Sequence, residues 1–291
     1  MGKKVVILGG TGKMGRWLAK FLKDRGLNVA IHSRSPERAG KAARELGVDY
    51  IKSMDSLQDF DMVIVSTSLS STAETVRKAA QKMKPNAVLF DIASVKGEAI
   101  EALEEARKRG VKTISVHPMF GPGADTLSGK HVIVIPVGDD PELVNEIRQL
   151  FEGAETHILS SGEAHDMMVA LTLSLPHFLN IVFGKTLKEA DIEEVTKFAG
   201  TTFTLQLAVA ESVYSEDPEL YYEIQSGNKA FAKVLDVFLE ATRETALTIK
   251  RKDRETFVKN FREIRASLAK DPNYSNAYSR FYKAYNAVTK H

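Results

Sequence analysis

The segment GGTGKMG (9–15) sets Gly10, Gly12 and Gly15 in a G-x-G-x-x-G spacing, between an apolar run (5–10) and a helical pattern (16–26). In a strand–turn–helix unit this spacing lets the backbone approach a pyrophosphate, while the helix N-terminus offers free N–H groups and a positive dipole end. Gly10 is expected to make the tight turn, Gly12 the close approach and Gly15 the helix–strand packing. Thr11, Lys13 and Met14 complete the loop. The reading is a dinucleotide site. Its specificity depends on the end of the second strand, where an NAD site places Asp or Glu. Here that end reads Ser33, Arg34, Ser35 and, further on, Arg38. A hydroxyl and guanidinium groups suit a 2′-phosphate that a carboxylate would repel. NADP is favoured, with NAD left open.

A second group with chemical potential is SVHPMFGPG (115–123). Its prolines and glycines make a stiff turn, and His117 stands at its mouth. Histidine can hold or take a hydroxyl proton near neutral pH, as dehydrogenation requires. In an open α/β sheet, ligands lie at the carboxyl ends of the strands. Ser66, Ser68, Ser94, Lys96 and His117 all fall at such ends.

The elements that must position these residues are legible as period. Apolar runs at 5–10, 28–34, 62–67, 87–94, 113–118, 130–138 and 156–160 read as strands. Amphipathic stretches at 16–26, 36–46, 72–83, 97–110 and 140–154 read as helices between them. The alternation predicts βαβ units and a parallel sheet covered on both faces. Beyond residue 161 the pattern becomes helical, with expected helices over 163–190 (interrupted by Pro176), 192–216, 218–252 and 253–271. The expected domains are therefore 1–160 and 161–291, the second packing its apolar faces in a homodimer.

Composition limits the classes. The chain has 40 basic and 38 acidic residues, a formal charge of +2, so no global field favours nucleic acid or a membrane surface. Unbroken apolar runs stay short of a bilayer span. The start of the chain enters a strand pattern with no signal-peptide character, so a cytoplasmic location is expected. With no cysteine, thiolate chemistry and cysteine metal sites are absent. Of the seven histidines, His32, His131, His157 and His291 are expected at the surface or at strand ends, and no metal site is expected. His165, beside Asp166 near a helix start, reads equally as structural or catalytic. The stretch 250–265 mixes charges as a solvated helix face does, and the aromatic residues of 274–285 are expected to pack a last helix.

The chain resembles the prephenate dehydrogenase family, particularly its archaeal members. The stretches that carry the resemblance, in order, are GGTGKMGRWLAKFLKDRG, DIASVKG, VHPMFGP, AHDMM, LPH (175–177) and DPELYYEI (217–224). The resemblance implies a Rossmann-like, doubly wound α/β domain followed by an all-α dimerisation domain. It also implies oxidative decarboxylation of prephenate to 4-hydroxyphenylpyruvate, a step toward tyrosine, with reduction of NAD(P). On that reading His117 draws the ring hydroxyl's proton and Ser94 orients His117. Lys96 lies near cofactor or substrate, and His177 and Tyr221 lie at the substrate pocket.

One departure stands out: where relatives carry an arginine that grips a substrate carboxylate, this chain has Ser212. Either another cation serves, with Lys197, Lys229 and Arg243 as the choices, or the substrate differs. Arogenate, which keeps the ring carboxylate, is one alternative. A different NADP oxidoreductase of the same fold and a catalytically silent dinucleotide-sensing dimer are the others.

Overall fold

The computed structural model describes residues 2–289, so His291 lies outside the described residues. The chain forms two compact units. One runs to Val169 and takes in Tyr222–Lys229; the other holds Ala170–Tyr221 and the chain from Ala230 onward.

The first unit is built on one sheet. Its strands are β1 (Lys4–Leu8), β2 (Asn28–His32), β3 (Asp49–Tyr50), β4 (Met62–Val65), β5 (Val88–Asp91), β6 (Lys112–Pro118), β7 (His131–Pro136) and β8 (Glu155–Ile158), in the order β3-β2-β1-β4-β5-β6-β7-β8. The order reverses between β1 and β4, which opens a crevice at their carboxyl ends. Helices α1 (Lys13–Asp24), α2 (Pro36–Leu46), α3 (Leu69–Ala80), α4 (Gly97–Arg107) and α5 (Pro141–Leu150) cover the faces. Strand alternation sorts the core. Val5, Ile7, Ile31 and Phe90 pack with Leu18, Leu22, Ala42 and Ile147 from α1, α2 and α5. Val6, Leu8, Val63 and Leu89 pack on the other face with Val76, Ala79 and Leu103 from α3 and α4. Side chains of period two, apolar at every position, are what burial on both faces demands.

The alternation predicts a parallel sheet, but one pairing runs the other way. β6 and β7 pair antiparallel, with His117 opposite Ile133, and β7 then pairs parallel with β8. The segment between β6 and β7 contains no helix. Without a crossover the chain can only turn back, and the neighbouring strand runs the other way.

From Gly162 onward the described chain is helical, in the part that belongs to the first unit and in the second unit alike. A helix that begins as α6 (Gly162–Val169) widens into a π-turn over Ala170–Ser174 and resumes as α7 (Leu175–Thr186). The wide turn lies immediately before Pro176. A proline ring lacks the N–H and collides with the carbonyl four residues back, and a π-turn relieves both. By length and composition Gly162–Thr186 could cross a membrane, at a mean hydropathy of 1.6. The expectation to the contrary counted only unbroken apolar runs, whereas this helix disperses a few polar residues among apolar ones. The helices α8 (Ile192–Lys197), α9 (Thr201–Tyr214), α10 (Pro218–Gly227), α11 (Phe231–Lys250), α12 (Arg254–Leu268) and α13 (Ala277–Thr289) follow. Two of the expected helices, 192–216 and 218–252, are each broken, at residues 198–200 and 228–230. Gln206 Nε2 donates to Asn180 Oδ1 at 2.7 Å, and the Tyr214 hydroxyl donates to the Ile181 carbonyl at 2.8 Å, joining α9 to α7.

In the first unit, the carboxyl ends of β5 and β6 are joined through charge. Asp91, the last residue of β5, accepts from Lys96 Nζ at 2.7 Å, from Ser115 Oγ at 2.5 Å and from the Ala93 N–H at 2.8 Å. Lys96 Nζ also donates to the Val116 carbonyl at 2.8 Å. Both side chains of the ion pair are fully buried. Burial pushes the Lys96 ammonium below its ordinary range, and the Asp91 carboxylate opposes that shift. A buried pair gains little over an apolar replacement, but removing one partner strands the other charge. Asp91→Asn or Lys96→Met is therefore expected to destabilise the fold by about 3–5 kcal/mol, and the double replacement by Leu and Met to cost clearly less than the sum. Urea unfolding of the three variants checks this; strictly additive losses would contradict it.

Candidate active site

The glycine loop follows β1 at the point where the sheet order reverses. The positive φ that the tight turn needs belongs to Gly9 (+86°), not to Gly10. A Cβ on Gly9 would strike the Ser66 carbonyl oxygen, and one on Gly10 would strike the Ile31 side chain. Gly15 packs its bare Cα against Gly9, as expected for close helix–strand approach. Gly12 is the exposed N-cap of α1. It supplies no side-chain cap, and the first turn of that helix carries no acidic residue. This end of α1 is electropositive and open in the way a phosphate needs. Thr11, Lys13 and Met14 line the same turn, and Ser66 N donates to the Leu8 carbonyl at 2.8 Å, which draws the end of β4 against it.

At the end of β2, Ser33 Oγ donates to the Ser35 carbonyl, and Ser35 Oγ caps α2 by accepting the Arg38 N–H. The Arg34 and Arg38 side chains are exposed and make no ion pair among the described residues. Ser68 is the N-cap of α3, but the cap is made by Glu223. Its carboxylate accepts the Leu69 N–H at 2.9 Å and the Ser70 hydroxyl. The residues present therefore fit a dinucleotide whose phosphates rest on α1. Two free guanidinium groups stand at the end of the strand that would face its adenosine ribose.

His117 is the penultimate residue of β6 and is only 4% exposed. Its Nδ1 lies 2.9 Å from His165 Nε2, and His165 Nδ1 lies 2.8 Å from Asp166 Oδ1. The carboxylate can only accept, so His165 carries its hydrogen on Nδ1 and presents a lone pair at Nε2. His117 must then donate from Nδ1, which leaves its own lone pair on Nε2. Burial, the Lys96 charge and His165 together hold the His117 imidazole well below its ordinary range. Burial lowers His165 as well, against the opposing pull of Asp166. The arrangement is a neutral imidazole of fixed tautomer, able to accept a proton at Nε2.

Asp166 is fixed in turn: its Oδ1 accepts the Lys96 backbone N–H at 3.1 Å, and its carbonyl accepts from Asn228 Nδ2 at 2.9 Å. His165, not Ser94, thus holds His117. Ser94 lies half-buried three residues beyond the end of β5 and makes no hydrogen bond to His117. Lys96, expected beside cofactor or substrate, has its ammonium enclosed by Asp91 and the Val116 carbonyl. Sequence reasoning did not find Asp91, Asn228 or Glu223. The only local signal was the His165–Asp166 dipeptide.

In the helical unit, His177 meets Tyr221 edge-on, with ring centroids 4.8 Å apart and planes at 82°. Among the described residues His177 Nδ1 is buried without a hydrogen-bond partner, and burial lowers the ring's pKa. Ser212 is exposed and its hydroxyl turns back to the Val209 carbonyl. Of the three cations that could replace the arginine, Lys197 is paired with Glu194 and Arg243 with Glu240, while Lys229 is exposed and makes no ion pair among the described residues. His32 is half-buried at the end of β2, and His131 and His157 are exposed.

Two family models match the chain: "Prephenate dehydrogenase, nucleotide-binding domain" over residues 18–160, and "Prephenate dehydrogenase, dimerization domain" over residues 161–263. A Methanocaldococcus jannaschii protein named "Probable arogenate/prephenate dehydrogenase" is 32% identical over 282 residues, which cover 94% of this chain and 63% of that protein. The "T-protein" of Enterobacter agglomerans is 26% identical, covering 90% of this chain and 66% of that protein. The chain thus spans a little under two thirds of the length of these curated relatives. Among solved structures, prephenate dehydrogenase from Aquifex aeolicus, in complex with hydroxyphenyl propionate and NAD+, shares the fold with a TM-score of 0.74. It is 24% identical, with 93% of this chain and 98% of that chain covered. Across both matched domains, the chain belongs to the prephenate dehydrogenase family.

Proposed function

We infer that the chain catalyses the NAD(P)-dependent oxidative decarboxylation of prephenate to 4-hydroxyphenylpyruvate, with arogenate as the alternative substrate. The observation that carries this reading is His117: buried, neutral and oriented by His165 and Asp166 at the carboxyl end of β6. A bound nicotinamide dinucleotide supplies the two-electron acceptor. As the hydroxyl-bearing ring carbon is oxidised, His117 Nε2 accepts the hydroxyl proton. The ring carboxylate leaves as carbon dioxide, its bonding electrons complete the aromatic ring, and the phenolate takes the proton back. His117 ends neutral, and aromatisation drives the step.

NADP is the favoured cofactor, supported by the unpaired Arg34 and Arg38 and by the absence of a carboxylate at the end of β2. His177, with its unpartnered Nδ1, and Tyr221 are proposed to bind substrate. A homodimer through the helical unit is supported by the name of the matched domain and by exposed Val237, Phe261, Ile264 and Leu268 on α11 and α12. Ser212 favours one second reading, a dinucleotide-sensing dimer without turnover, because no arginine stands at that position.

The experiment is an assay of NADPH and NADH formation with prephenate and with arogenate. His117→Asn should lower kcat by about 10²–10⁴-fold, with dinucleotide binding retained. NADP binding without turnover of either substrate by the unaltered chain would favour the sensor.

Asp166→Asn should cost at least about 10²-fold in kcat, since an amide can donate to His165 and reverse both tautomers. Unchanged kcat in a folded Asp166→Asn variant would show that the tautomer is fixed otherwise. Replacing Arg34 and Arg38 together with alanine should raise KM for NADP at least about tenfold and leave that for NAD nearly unchanged.

The two buried imidazoles also set a pH dependence of stability. Their folded-state pKa values are lowered, so below about pH 6.5 the unfolded chain binds more protons than the folded one. Stability is then complete above that pH and falls as pH drops, by up to about 1.4 kcal/mol per pH unit for each histidine. Urea titrations between pH 5 and 8 should show a shallower slope for His117→Asn than for the unaltered chain.

A further inference from the structure

The outer edge of the sheet brings together three side chains that are distant in sequence and unused by the site above. β7 and β8 run parallel, with His131 opposite Glu155 and Ile133 opposite His157. Because strand side chains alternate, Glu155 and His157 share one side of β8, and His131 stands across from them on β7. His131 Nδ1 lies 2.9 Å from His157 Nε2 and 3.7 Å from Glu155 Oε2. The three atoms all lie within 4.8 Å of one another, and all three residues are exposed. Each residue can offer one ligand atom, two imidazole nitrogens and one carboxylate oxygen.

We propose that His131, Glu155 and His157 form a binding site for a divalent transition-metal ion of zinc's class, which clamps the edge strand β8 to β7. Two imidazoles and a carboxylate are a ligand set that zinc accepts, with a water completing the tetrahedron. Metal–ligand bonds of about 2.0–2.1 Å in that geometry set neighbouring donor atoms roughly 3.3 Å apart. The separations of 2.9 Å and 3.7 Å bracket that spacing, so small rotations of exposed side chains suffice. Hard cations such as Mg²⁺ prefer an all-oxygen shell and are disfavoured by the two nitrogens.

The position gives the ion a physical role. β8 has four residues, of which none is fully buried, and it pairs only with β7. Strand edges of this kind open before the core does. An ion bound to His131 and to Glu155 and His157 of β8 adds a cross-link where main-chain pairing is weakest. It binds the folded state alone, since the three ligands are brought together only by pairing of the strands, and so raises the melting temperature. Sequence spacing gives no sign of this cluster, because His131 and His157 meet across two strands.

The test uses the full chain without an affinity tag, stripped with chelator and titrated calorimetrically with ZnCl₂ and, separately, with MgCl₂. One zinc per chain is expected, with a rise in melting temperature and no response to magnesium. His157→Ala should weaken zinc binding at least about tenfold and abolish the thermal shift, and Glu155→Gln should weaken it less. Because these side chains are exposed, the circular dichroism of both variants should match that of the unaltered chain. Cobalt in place of zinc should give visible tetrahedral absorption bands that His157→Ala loses. Zinc binding and thermal shift that persist in His157→Ala would overturn the proposal and direct attention to the buried His117–His165 pair. Absence of zinc binding by the unaltered chain would overturn it outright. Neither result bears on the proposed dehydrogenase activity, which is read separately.

Discussion

A lysine ammonium with no access to water must find its hydration shell in the protein, and in this fold the ends of two strands supply it. Lys96 gives two of its donors to the Asp91 carboxylate and the Val116 carbonyl, and Asp91 is further satisfied by Ser115 and a backbone N–H. The pair therefore fixes the end of β5, the end of β6 and the first turn of α4 relative to one another. The Lys96 backbone N–H then anchors Asp166, Asp166 orients His165, and His165 orients His117. Orientation of the proposed base is the last link of a chain that begins at a buried charge.

That charge also bears on the proton affinity of His117. A second positive charge beside the Lys96 ammonium, in a region with little water, is unfavourable, and burial acts in the same direction. The imidazole is thereby kept unprotonated below its usual range. A base that must be neutral before it acts benefits from this, although a more depressed pKa also makes it a weaker acceptor. Asp166 is separated from His117 by one imidazole, so it fixes the tautomer without setting a carboxylate directly against the His117 ring.

Much of this frame is legible in the sequence because it is local. Seven of the strands, the glycine loop and the place of His117 at a strand end follow from period and from the fixed conformations of proline and glycine. What is not legible is contact across distance. The His117–His165 pair spans 48 residues, the link from Lys96 to Asp166 spans 70, and neither leaves a spacing pattern. Lys96 illustrates the cost: a cation at a strand end reads as a ligand-binding group until its buried partner is known. The reversal at β7 escaped for a related reason, since the period of an apolar strand is the same in either direction. Gly9 was overlooked because the motif begins at Gly10, although the positive φ falls one residue earlier.

The helix N-termini around the sheet show how charge selects among chemically similar positions. Each of α1 to α4 begins near the carboxyl edge of the strands, and each N-terminus carries the same partial positive charge. At α2 the terminus is closed by its own Ser35, at α3 by the Glu223 carboxylate, and at α4 by Asp166 on the Lys96 N–H, with Glu98 in the first turn. An anion approaching those three would displace an existing acceptor or meet a carboxylate. Among these four, α1 alone combines a glycine N-cap with a first turn free of acidic residues. The motif is therefore only part of the reason a pyrophosphate would settle there. Acceptors contributed by Asp166 and by Glu223 of α10, far along the chain, close competing termini, so residues of the C-terminal half help to define the proposed dinucleotide site on α1.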